Sequence, residues 1–112
     1  MVVWRVVATD VRDSPAFVES FRSSHERGLP PRPGSPEERF TVIHRSVSTF
    51  DRQDRAAALG RRYALGQFTA RLDLPGNAGF CYAQWGSRGH ISLMGDALML
   101  AQASVDIVPI NG

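Results

Sequence analysis

Residues 46–64 read Ser46-Val47-Ser48-Thr49-Phe50-Asp51-Arg52-Gln53-Asp54-Arg55-Ala56-Ala57-Ala58-Leu59-Gly60-Arg61-Arg62-Tyr63-Ala64, and the hydrophobic period changes halfway through. The first part, Arg45 to Phe50, alternates hydroxyl residues with Val and Phe, which is a strand with one polar face. From Asp51 onward the spacing is helical. Asp51 can cap the N-terminus and Asp54 stands in the first turn, where acidic groups favour the helix dipole. Ala56, Leu59 and Tyr63 fall at i, i+3 and i+7 as the inward stripe, while Arg52, Arg55 and Arg62 face water. Gly60 and Gly66 then weaken and end the helix.

Strands extend in both directions from this junction. Upstream, Val2–Thr9 has Val3, Arg5 and Val7 on one face and Val2, Trp4, Val6 and Ala8 on the other. Ser14-Pro15 opens a short helix to about Ser24, with Phe17, Phe21 and Val18 as its apolar side. Residues 28–36 hold four prolines and two glycines, so they form an exposed connection long enough to serve as a lid. A stretch from Arg39 to His44 precedes the central strand. Downstream come strands at Gln67–Leu74, Phe80–Trp85 and His90–Met94, separated by Asp73–Asn77 and Gly86–Gly89 turns. A short apolar turn or helix follows at Ala97–Ala101, and a last strand at Val105–Ile110. This order predicts one α+β domain over residues 1–112, a mixed or antiparallel sheet of five or six strands with two helices.

The chain has 112 residues, enough for one core, and 43% of them are hydrophobic, which is ordinary for a folded domain. No apolar run reaches the roughly 18–20 residues that span a bilayer, and the first residues lack the pattern of a secretion signal, so a cytoplasmic location is expected. All thirteen basic residues are arginine, and the formal net charge is +2 with the charges interspersed. The longest basic cluster is Arg61-Arg62, so nucleic acid is not an expected partner. Cys81, the one cysteine, lies in the apolar run 80–83, which fits a small buried hydrophobe; the other reading is a nucleophile with His90 or His44 as base. His25, His44 and His90 lack ligand spacing, and no metal site is expected.

Three features remain that could carry chemistry: Arg5 in Trp4-Arg5-Val6-Val7, the Ser46–Phe50 strand running into a helix that ends Tyr63-Ala64, and Gly95-Asp96-Ala97-Leu98 before the last strand. In this order they resemble the arginine–serine–glutamate branch of the ADP-ribosyltransferase superfamily. The resemblance covers about half the chain. It extends to a set of small actinobacterial domains, through Ser48–Asp51, Gly89-His90, Gly95-Asp96 and Val108-Pro109. It implies that NAD or a related nucleotide is the cofactor, that Arg5 grips its phosphates, that Ser48 and Thr49 line the nicotinamide–ribose pocket, and that His90 sits at the edge. Ala97 or Asp96 stands where the family carries its catalytic glutamate. Asp96, one methylene shorter, is the candidate carboxylate, and the resemblance leaves open Asp96 in an altered geometry, an acid from elsewhere, or a non-catalytic domain. The chemistry is consistent with those roles. A planar guanidinium binds phosphate oxygens bidentately, and a carboxylate stabilises the positive charge that develops on a ribose during glycosidic cleavage. The alternative reading is a non-enzymatic module for a protein partner, with exposed aromatics such as Trp85 as contacts.

Overall fold

The computed structural model describes residues 1–29, 45–75, 81–84 and 88–110. Loop residues 30–36, the 39–44 stretch and Trp85 lie outside them. Six strands form one sheet: β1 (Val2–Val7), β2 (Val47–Phe50), β3 (Phe68–Asp73), β4 (Cys81–Gln84), β5 (His90–Met94) and β6 (Ser104–Pro109). Among the described residues there are three helices, α1 (Pro15–Glu19), α2 (Gln53–Tyr63) and α3 (Ala97–Gln102). The strand order is β4-β5-β2-β1-β3-β6, and every neighbouring pair is antiparallel. The chain is thus α+β with an antiparallel sheet, as the pattern predicts, and the Ala97 segment is a true helix.

Two crossovers tie the sheet together. β2 and β3 flank β1 and are joined through α2; β5 and β6 lie farther out and are joined through α3. Both crossovers move the same way across the sheet, but β2 and β5 point in opposite directions. Crossovers of one hand must then put their helices on opposite faces. They do: α3 packs with α1 on the face of Val3, Val7, Leu72 and Leu93, and α2 packs on the face of Val6 and Phe50. β1 is covered on both sides, so it reads VVWRVV with apolar residues at both parities.

The two faces are packed differently. The α1/α3 side holds the larger core, in which Phe17 meets Phe21 edge to face at 5.3 Å between ring centres. The α2 side is thin, because Ala56, Ala57 and Gly60 let the helix approach the sheet closely. That approach changes the inward stripe from the expected one. Gly60 is buried against Val6 and Ile110, whereas Tyr63 is 57% exposed under the Arg62 guanidinium. Cys81, expected inside, is exposed because β4 is the sheet edge.

Helix boundaries also moved. α1 stops at Glu19, and a separate turn follows in which Ser23 Oγ accepts from Glu26 N–H while Glu26 Oε1 accepts from Ser23 N–H. This is a reciprocal capping box, closed on the far side by Gly28 at φ +72°. The N-cap of α2 is Arg52, whose side chain pairs with Asp54 and makes no cap bond, and Asp51 holds Arg55 instead at 2.7 Å. α2 ends on Ala64 with φ 52°, a left-handed residue that glycine occupies at lower cost. Ala64→Gly is expected to stabilise the domain by about 0.5–1 kcal/mol. Thermal unfolding checks this, and an unchanged or lower midpoint would refute it.

Candidate functional site

The sheet is not uniformly closed. β1 pairs with β3 over the whole run from Val2↔Asp73 to Val7↔Phe68, but with β2 only at Trp4↔Phe50. The side chain of Arg5 takes the place of the missing ladder. Its Nη1 donates to the Ser48 carbonyl at 2.8 Å, and its Nε donates to the Ser20 carbonyl, just past α1, at 3.1 Å. Ser20 is fixed in turn, since its Oγ accepts from Ala8 N–H at 3.1 Å and donates to the Ala16 carbonyl at 3.0 Å. One guanidinium therefore joins β1, β2 and the end of α1.

Arg5 has no carboxylate partner among the described residues, and its Nη2 meets no acceptor there. Desolvation by burial, and then the neighbouring Arg27 guanidinium, lower its pKa to about 10, so it remains a cation at neutral pH. The surrounding charge does not neutralise it. Glu19 is shared between Arg22 at 3.1 Å and Arg27 at 3.5 Å, and Glu26 is turned to the Ser23 N–H.

Ser48 links this cation to a second group. Its carbonyl serves Arg5, while its hydroxyl lies 3.0 Å from His90 Nε2 across the β2–β5 pair. The His90 ring stands edge-on to Phe50 at 5.4 Å. Ser46 and Ser92, both buried, share the Ser48 side of the sheet, and α2 packs over β1, β3 and β2 next to them. Beside His90, Gly89 has φ +78°, and a Cβ there would collide with the Asp51–Arg55 pair. Glycine is required at that turn.

Of the residues singled out from the sequence, Arg5, Ser48 and His90 thus form a continuous chain of contacts. Thr49, adjacent to Ser48, points to the opposite face, is fully buried, and donates to the Ile91 carbonyl at 2.8 Å. Asp96 is exposed at the N-cap of α3 and makes no side-chain cap bond. Arg5 shares the face of Val3 and Val7, whereas the Ser48 and His90 side chains share the face of Phe50. Residue type and spacing do not point to Ser20, Arg27 or the Asp51–Arg55–Gly89 contact. The Ser23-x-x-Glu26 spacing was the one visible signal that the chain after α1 is ordered.

Chemically, the arrangement offers a fixed cation with spare donors and a hydroxyl–imidazole pair at a distance suited to proton transfer. Nucleophilic catalysis would also need free N–H donors for an oxyanion, and Ser48 sits inside the β2–β5 ladder. Among the described residues, no cluster of three or more His, Cys, Asp or Glu could hold a metal ion, and no helix is long and apolar enough to cross a membrane. No family model, curated protein or solved structure matches the chain.

Proposed function

We propose that the chain is a small nucleotide-binding domain of ADP-ribosyltransferase-like type, which takes NAD or a related phosphorylated ligand at Arg5 and does not itself transfer ADP-ribose. The supporting observation is the guanidinium of Arg5, set in the parting of β1 and β2, with a donor nitrogen unused and no carboxylate partner among the described residues. A half-buried cation without a counter-ion among the described residues is costly, and a phosphate oxygen offsets that cost through charge-assisted hydrogen bonds. Arg27 adds a second positive charge near the same place. The non-catalytic form is favoured because the Asp96 carboxylate is exposed at a helix start and the Ser48 hydroxyl faces the other side of the sheet from Arg5.

Calorimetry and thermal shift with NAD, ADP and pyrophosphate test this reading. Wild type is expected to bind saturably. Arg27→Ala, an exposed position, is expected to weaken binding by roughly 3–10-fold, as one partly screened charge would. Arg5→Lys should weaken it further, because an ammonium lacks the planar fork. Absence of saturable binding by all three ligands would overturn the proposal, and so would equal binding by wild type and both variants. The second reading, a protein-interaction module, is favoured by Leu98 and Met99, adjacent on α3 and each about half exposed.

A further inference from the structure

On the α1/α3 side of the molecule, a cleft of about 420 Å³ opens between the two helices. Its walls are Arg12 and Asp13 from the turn after β1, Val18 from α1, Leu98, Ala101 and Gln102 from α3, and Ser104 at the start of β6. The volume is within the range of roughly 300–1,000 Å³ that small-molecule sites occupy. Arg5, Ser48 and His90 take no part in it, so the cleft is separate from the nucleotide site proposed above.

Three properties distinguish it from a surface dent. Ser104 is only 4% exposed, and its Oγ has no hydrogen-bond partner; it is the one such buried side-chain atom among the described residues. Native proteins rarely leave a buried hydroxyl unpaired. The Ser104 Oγ is closed off as its side chain stands, and a turn about χ1 would bring it to a ligand atom in the cleft that Ser104 lines. Arg12 and Asp13 carry opposite charges side by side at the mouth. Neither is hydrogen-bonded or ion-paired within the described residues. Val18, Leu98 and Ala101 form an apolar lining, with Leu98 still 51% exposed.

A ligand that meets all three must be a zwitterion with an apolar body. We propose that the cleft between α1 and α3 binds a free amino acid with an apolar side chain: its carboxylate lies on Arg12, its ammonium on Asp13, its side chain on Val18, Leu98 and Ala101, and one polar atom on the Ser104 hydroxyl. Guanidinium and carboxylate are the natural partners for the two ends of such a molecule. The apolar lining sets the preference for leucine-like over glycine-like side chains. A purely apolar ligand would leave Arg12, Asp13 and Ser104 unused. An anion alone would meet Asp13 with the wrong sign.

The test uses the full chain, with L-leucine, L-methionine and L-phenylalanine as probes, followed by calorimetry and by amide chemical shifts. At least one probe is expected to bind saturably, with shifts centred on residues 12–18 and 98–104. N-acetyl-leucine lacks the ammonium and leucinamide lacks the carboxylate; each should bind at least about 10-fold more weakly than leucine, and glycine more weakly still. Arg12→Gln and Asp13→Asn change exposed side chains, so both should fold normally and each should lower affinity by a similar factor. Ser104→Ala should weaken binding while leaving the thermal midpoint unchanged or raised, since it removes an unpaired hydroxyl. Arg27→Ala, which tests the nucleotide site, should leave amino-acid binding unchanged. Three results overturn the proposal: no saturable binding by any of the three probes at millimolar concentration, shifts that map outside the cleft, or equal affinities for wild type, Arg12→Gln and Asp13→Asn.

Discussion

Gly66→Ala is expected to lower the stability of the domain by about 3 kcal/mol, at the upper end of overpacking costs, and its thermal midpoint by roughly 12 °C or more. The cause is a single atom. A Cβ at Gly66 would sit 2.5 Å from the carbonyl oxygen of Val7 and 2.9 Å from its carbon, with Val6 Cγ1 at 3.1 Å. The oxygen belongs to the backbone of the central strand, so no side chain can rotate away. Either β1 or the link between α2 and β3 must move, and both are anchored by the long β1–β3 ladder. Gly60 supplies the contrast. A Cβ there meets the tips of Ile110 at 2.8 Å and Val6 at 3.2 Å, and side-chain tips can yield. Gly60→Ala should therefore cost about 1 kcal/mol, the low end of overpacking, because helix propensity favours alanine. Thermal and denaturant unfolding of the two variants check the ranking. A Gly66→Ala midpoint within a few degrees of wild type, or below which Gly60→Ala falls, would show that the close approach is not needed.

These glycines also show what the sequence could reveal. Reading Gly60 and Gly66 as marks of a weakened and ended helix used local chemistry alone. Their actual constraint is tertiary, because each is the point where α2 or its exit touches β1. The strands were legible since β3 and β5 alternate with period two and β1 is a short valine-rich run, and neither pattern needs knowledge of partners. Their order in the sheet was not legible, because it depends on which crossovers share a hand. The inward stripe of α2 was half legible: Ala56 and Leu59 do face the sheet, but a helix held close by small residues presents Gly60 and leaves Tyr63 beyond the sheet. The residue type of Asp51 suggests a cap, whereas the Gly89 carbonyl draws its N–H at 3.0 Å and Arg55 takes its carboxylate.

The candidate site divides along the same line. Arg5 stood out because a charged residue on a valine face demands a partner, and the structure supplies two carbonyls for it. The contact of His90 with Ser48 follows from antiparallel register, which one sequence does not fix: Ser48 lies opposite Ser92, and His90 is its diagonal neighbour. The resemblance groups Ser48 and Thr49 as pocket residues, yet adjacent strand residues face opposite ways. The cleft between α1 and α3 was invisible at sequence level, since Arg12, Ala101 and Ser104 approach only when β5 and β6 are joined across the sheet.

Replacing Arg5 by methionine should destabilise the domain by about 3 kcal/mol, through loss of two charge-assisted hydrogen bonds, with Arg5→Lys intermediate. Methionine fills most of the same volume, so the loss comes from hydrogen bonds and not from a cavity. The carbonyls of Ser20 and Ser48 would lose this donor, and the gap between β1 and β2 would lose the bridge that the Arg5 side chain makes across it. Lysine keeps the charge but reaches only one carbonyl well. Opposing this loss is the relief of removing a half-buried cation that Arg27 also repels. The hydrogen bonds win if the side chain is there for the fold, because both acceptors are main-chain atoms that cannot turn to water without parting the strands. Denaturant unfolding decides the matter. A methionine variant as stable as wild type, or more so, would show that the fold does not need the guanidinium. The unused Nη2 would then be the reason Arg5 stands in a valine face, and the strand parting would be a feature of the ligand site more than of the sheet.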